Sequence, residues 1–349
     1  MATTVIQKSF GSMPGGASVP LYTLRSETLE VSLTGYGARL VTVSAPDRNG
    51  VFADLITGFN TVEEYLRDKT YAGAANGRFT NRLDHGKFTL DGVTYQVPIN
   101  NGENALHGGP EGFDTKLWQT RVVANGVECT LVSPDGEMGF PGTLTARITY
   151  TVVGNALRIQ YEAETDAPTI VNMTNHSFFN LAGEGSGDVL HHTVQINADA
   201  YTPVNAGLIS TGEIASVAGT PLDFRVPHTV GERIENSHPQ MRIANGYDHN
   251  FVLGAPDGTM RKAAMVTEPT SGRVLTVETD SPGLQLYSGN FLDGSHIGKS
   301  GRAYKFRYGL CLETQEFPDA PNHANFPSTR LDPGEMYQRT TVFRFSTQA

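Results

Sequence analysis

The chain reads as an all-β protein, a large antiparallel β-sandwich with few short helices. Three observations carry that expectation. Tight-turn dipeptides are frequent: Asn-Gly occurs five times, at 49, 76, 101, 125 and 245, and Asp-Gly four times, at 91, 135, 257 and 293. These pairs favour the left-handed backbone that joins antiparallel strands in hairpins. Apolar residues alternate with period two in several segments, as half-buried strands require. No sustained strand–helix alternation occurs, which argues against a parallel sheet.

The elements follow in order. Thr61-Val-Glu-Glu64 has the spacing of a capping box ahead of Tyr65-Leu66 and predicts one short helix. Phe88 to Val97 alternates around Asp91-Gly92 and predicts a hairpin. Ala156 to Ala163 predicts a strand with Leu157, Ile159 and Tyr161 inward, and Val274–Thr279 and Thr341–Phe345 look similar. Tyr308 to Gln315 predicts a strand with Leu310, Leu312 and Thr314 on one side and Cys311, Glu313 and Gln315 on the other. A carboxylate among apolar strand neighbours is either an ion-pair member or a poised acid or base.

With 349 residues, including 38 Gly and 19 Pro, the chain is turn-rich and long enough to bury a large core. All-β folds often run long as one domain and no low-complexity linker divides this one, so residues 1–349 are expected to form a single domain. A formal net charge of −10 speaks against nucleic acid or an anionic membrane surface as partner. A neutral small molecule suits it better than a polyphosphate. Two cysteines, Cys129 and Cys311, make no disulfide framework. Met1 to Phe10 has Lys8 but no apolar h-region, and no apolar run approaches membrane-spanning length. The expectation is a soluble cytoplasmic protein, with monomer and homodimer equally acceptable.

Four segments carry candidate chemistry. Asn100 to Gly109 ends in Leu106-His107-Gly-Gly, where two glycines permit a sharp turn or a close approach to ligand. Val171 to Leu181 places His176 among polar residues, and Asn245 to Asn250 contains Asp248 and His249. Asn76-Gly-Arg-Phe-Thr-Asn-Arg82 offers planar, multidentate donors that suit sugar hydroxyls, though solvated arginines on a loop would read the same way. Any one histidine here is more often a hydrogen-bonded structural residue than a catalyst. Gly294 to Ser300 is one residue short of a phosphate loop. His191 and His192 are adjacent, so on a strand they face opposite ways. There is no His-Glu-x-x-His, Cys-x-x-Cys, dinucleotide fingerprint or Gly-x-Ser-x-Gly, so no metal or cofactor is expected and no serine hydrolase.

Taken in order, these segments resemble the aldose 1-epimerase (galactose mutarotase) family over nearly the whole chain. The resemblance rests on Gly-Arg…Asn-Arg, Leu-His-Gly-Gly, Thr-Asn-His-Ser-Phe-Phe-Asn-Leu, Asp-His-Asn-Phe, Pro-Gly-Leu-Gln-Leu-Tyr-Ser-Gly-Asn-Phe and Leu-Glu-Thr-Gln. It implies a galactose mutarotase-like supersandwich and interconversion of the α and β anomers of free aldohexoses such as D-galactose and D-glucose. By position, Glu313 would be the catalytic base and His176 the acid. Asn81, Arg82, His107, Asp248 and Gln285 would hold the sugar, and no metal is implied. Ring opening with both groups acting at once requires Glu313 and His176 to titrate apart, with activity in the window between their pKa values. Phe79-Thr80 departs from the Val-Ala more usual in its motif, and Leu286 from a more usual aromatic.

Three rivals stand beside this. A hexose-6-phosphate 1-epimerase would need extra cations, for which Arg78, Arg82 and Lys299 are the candidates. A non-catalytic sugar-binding module would not need both Glu313 and His176. A glycoside hydrolase would want a second carboxylate, but Glu316 points to the opposite face if the strand continues, and Pro318 ends it.

Overall fold

In the computed structural model, which describes residues 3–348, three antiparallel sheets share one core. The largest has nine strands, in spatial order Gln119–Val123, Gly126–Ser133, Leu144–Val153, Ala156–Thr165, Tyr337–Thr347, Arg273–Thr279, Arg261–Thr267, Thr193–Ile196 and His228–Thr229. A six-stranded sheet runs Phe178–Phe179, Leu310–Gln315, Gly283–Tyr287, Asp248–Val252, Ala200–Thr202 and Ala215–Ser216. An N-terminal five-stranded sheet covers Thr4 to Asp54.

The alternation expected in the strands is present. Leu157, Ile159 and Tyr161 are buried, and they join Leu284, Leu286, Leu310 and Leu312 of the six-stranded sheet in one apolar cluster. The same cluster reaches Val31 and Leu33 of the N-terminal sheet. Burial of this kind is the main favourable term in folding. Because side chains alternate across a strand, fixing those leucines inward turns Gln285, Tyr287, Cys311, Glu313 and Gln315 to the opposite face. Cross-strand register places Gln285 against Glu313 and Asn250 against Gln285. That second face is the floor of the site described below.

The hairpin forms from Lys87–Leu90 and Val93–Gln96. Asp91 and Gly92 both have positive φ, 51° and 79°, as its two-residue turn requires. The expected helix is Val62–Tyr65, and both halves of the Thr61/Glu64 capping box are made. Two further short helices, Val230–Arg233 and Pro239–Ala244, escaped the sequence reading. The second did carry signals, Pro239 in its first turn and Asn245 in the left-handed conformation at its end. So Asn245-Gly246 closes a helix rather than a hairpin. Asn76-Gly77 is likewise no hairpin turn: Asn76 pairs with Thr174 as part of a short strand.

Candidate active site

A cavity of about 600 Å³ opens over the polar face of the six-stranded sheet, within the size range of small-molecule sites. Glu313, His176, His107, Asn81, Arg82 and Asp248 all line it. They come from stretches more than 200 residues apart, and the folding of three sheets onto one core brings them together.

Glu313 is 2% exposed. Its Oε1 lies 3.7 Å from His176 Nε2, and its Oε2 is buried without a hydrogen-bond partner among the described residues. Burial pushes its carboxyl well above the usual range, the Asp248 carboxylate adds to this, and Arg82 opposes it. His176 is pinned through its backbone, its N–H donating to Ala74 O at 2.8 Å and its carbonyl accepting from Gly73 N at 3.0 Å. Burial lowers its imidazole to about 4. The Cys311 Sγ sits 3.6 Å from its Nδ1. Phe178 and Tyr287 pack against the same ring.

Arg82 is held at both ends of its guanidinium. Its Nε donates to Asn101 Oδ1 at 3.0 Å, and its Nη1 lies 3.5 Å from Asp248 Oδ2. Asn81 Oδ1 accepts the Arg82 backbone N–H. His107 follows a short strand paired to Arg82 and Leu83. The two glycines after it, Gly108 and Gly109, have φ of 89° and 92°. A Cβ at Gly108 would meet Gly77 O at 2.1 Å. At Gly108 the close approach is to the protein's own backbone, while Gly109 lines the cavity.

Gln285 is placed differently from the expectation. It does not line the cavity. Its Nε2 donates to Asp248 Oδ1 at 2.7 Å and its Oε1 accepts from Gln315 Nε2, so it orients Asp248 from behind. His249, in the same segment as Asp248, is structural. Its Nδ1 accepts the Asp248 N–H and its Nε2 meets Gln240 Oε1, while burial depresses it to about 3. Tyr71 was missed by the sequence reading, which had no spacing cue for it. It lines the cavity, packs edge-on to His107 at 4.6 Å between centroids and touches His176. Tyr71, Asn81 and His107 have φ of 61°, 62° and 52°. Asn and His tolerate that region, but a bulky Tyr there is strained, and such strain clusters at functional sites.

The cations suggested for a phosphate do not face the cavity as a group. The Arg78 guanidinium donates to Pro141 O, Gly142 O, Ser133 O and Pro134 O. Lys299 pairs with Asp54 at 2.6 Å. Both serve to join loops. Glu316 leaves the sheet beyond Gln315 and pairs with Arg339, away from the cavity. No helix among the described residues is long and apolar enough to cross a membrane.

Comparison with known proteins gives matches over nearly the whole chain. Residues 20–344 match the family model described as aldose 1-epimerase. The galactose mutarotase of Bos taurus is 48% identical over 345 residues, covering 98% of this chain and 99% of that one. The galactose mutarotase of Sus scrofa is 46% identical over 344 residues, covering 98% and 99%. A solved structure of an aldose epimerase homologue from C. elegans superposes with a TM-score of 0.86 at 30% identity, covering 100% of both chains.

Proposed function

The chain belongs to the aldose 1-epimerase family and is an aldose mutarotase, an isomerase, and from that premise we propose that Glu313 and His176 carry the proton transfers. The observation behind this is a buried carboxylate oxygen with no partner, on the floor of the cavity and beside His176. Glu313 takes the proton of the C1 hydroxyl while His176 gives one to the ring oxygen. The C1–ring oxygen bond breaks, rotation about C1–C2 turns the aldehyde, and the steps run backwards to the other anomer.

The pKa order modifies the expected window. Burial raises Glu313 and lowers His176, so the empty site rests as a neutral pair. That pair holds one proton, as does the ion pair the reaction uses, and the two differ only by where the proton sits. The one-proton state spans from about pH 4, where His176 would gain a second proton, up to the raised value of Glu313. Activity follows that window.

Arg82, Asp248, His107 and Asn81 orient the sugar, with Gln285 supporting Asp248. D-galactose is the proposed substrate in line with the names of the relatives, and D-glucose is proposed beside it from the resemblance alone. We read residues 1–349 as one domain, supported by the single apolar cluster that spans all three sheets. Two buried free thiols suit a reducing, cytoplasmic location.

Polarimetry of freshly dissolved α-D-galactose tests the assignment. Wild type should speed the decay to equilibrium rotation and Glu313→Gln should not. Equal rates for the two proteins would remove Glu313 from the mechanism.

A further inference from the structure

His107 Nδ1 is surrounded by three donors. The Asn81 backbone N–H lies at 3.1 Å, Asn76 Nδ2 at 3.0 Å and Thr80 Oγ1 at 3.1 Å. A backbone N–H can only donate, so Nδ1 must present its lone pair. The ring proton is therefore on Nε2. That nitrogen has no hydrogen-bond partner among the described residues, and the ring lines the cavity. Burial, with His176 and Arg82 nearby, holds the imidazole well below its usual pKa, so it stays neutral.

We propose that Asn76 and Thr80 are positioning residues that, with the Asn81 N–H, lock His107 as a neutral ring whose Nε2–H donates to the sugar. This rests on the reading of the cavity as the sugar site. Thr80 is one of the two residues at which the sequence departs from the Val-Ala usual in the family, and its side chain makes one of the three contacts. Asn76 supplies a second at a cost. Its Oδ1 is buried without a partner, and burying an unmatched amide oxygen is unfavourable. What that burial delivers is the donor to His107.

The lock has a chemical consequence. His107, His176 and Glu313 have donor atoms within 4.8 Å of one another, a spacing a divalent cation could accept. A ring nitrogen that carries its own proton has no lone pair for a metal or for a proton in flight. His107 is thereby confined to hydrogen-bond donation, and the acid–base work is left to the other two.

Nitrogen-15 NMR of histidine-labelled protein, with His107 assigned by His107→Gln, reads the tautomer without any turnover. Nδ1 should show as unprotonated and Nε2 as protonated. A protonated Nδ1 overturns the proposal. In polarimetry, Thr80→Val should lower kcat/KM by about 3- to 10-fold, the worth of one hydrogen bond, and Thr80→Ser should restore most of it. Asn76→Ala should lower kcat/KM similarly while leaving the melting temperature unchanged or higher. Val at position 80 matching wild type, or Ser as impaired as Val, would mean the hydroxyl does not position the ring. Failure of the cavity assignment itself would show separately, as an undiminished rate in Glu313→Gln.

Discussion

Glu313 and Glu316 stand three residues apart and are almost equally buried, at 2% and 1% exposure. Burial raises both carboxyls, Glu316 to about 7 and Glu313 well above the usual range. Their surroundings differ. Arg339 donates to Glu316 Oε1 from Nε at 2.7 Å and lies within 2.6 Å through Nη2. Glu313 has no such cation among the described residues; Arg82, the positive charge that opposes its rise, is paired with Asp248. Depth alone therefore says little about role. A buried carboxylate gripped at one oxygen by an arginine joins two segments, here the end of one strand and the start of another, although its second oxygen, Glu316 Oε2, has no partner among the described residues. One with no arginine gripping either oxygen, over a cavity and beside a histidine, keeps its capacity for proton exchange.

The contrast breaks most sharply at Glu313. Glu313→Gln should lose about 10²- to 10⁴-fold in kcat, because a positioned base contributes that much. Polarimetry with saturating sugar reads it, and a loss under tenfold would remove the distinction between the two carboxylates. At the other corner, Arg339→Met should strip Glu316 of the cation that opposes its rise, leaving a buried carboxyl that must stay charged unpaired or take up a proton. Removing one partner of a buried pair costs about 3–5 kcal/mol. Arg339 keeps 17% side-chain exposure, so the lower end of that range is expected in denaturant unfolding. The kcat per folded molecule should stay near that of wild type.

A third test uses pH. The folded pKa of Glu313 lies above its ordinary value, so as pH rises the unfolded chain loses this proton first. Between the two values the native state binds more protons, and stability falls as pH rises. Glu313→Gln lacks this loss. Its melting temperature should exceed that of wild type by more at pH 8 than at pH 5, and a gap that narrows with pH would contradict the burial argument. His176 acts oppositely: its lowered value means stability is lost as pH falls from about 6.5 toward 4. The smallest effect is expected for Glu316→Gln, which keeps a hydrogen-bond acceptor for Arg339. Its kcat should remain within about threefold of wild type, since the position lies outside the cavity and small changes in one hydrogen bond are of that order.

Much of this was readable in the chain before any fold was known. The alternation from Leu310 to Gln315 assigned Glu313 and Leu312 to opposite faces, and the Asp91-Gly92 hairpin and the Thr61 cap formed as written. These are local features. A two-residue period, a turn dipeptide and a cap depend on backbone geometry within a few residues. The motif series also pointed to the residues that line the cavity. What only the tertiary structure decided concerns neighbours far apart in sequence. Gln285 was expected at the sugar and stands behind Asp248; Arg78 and Lys299 were candidate phosphate ligands and instead tie loops together. Tyr71 entered the site with no cue at all. The inverted pKa order of Glu313 and His176, and the tautomer of His107, follow from desolvation and from donors supplied by other segments. Electrostatic energies depend on distance and local dielectric in the folded molecule, and neither quantity exists until the sheets have closed over the site.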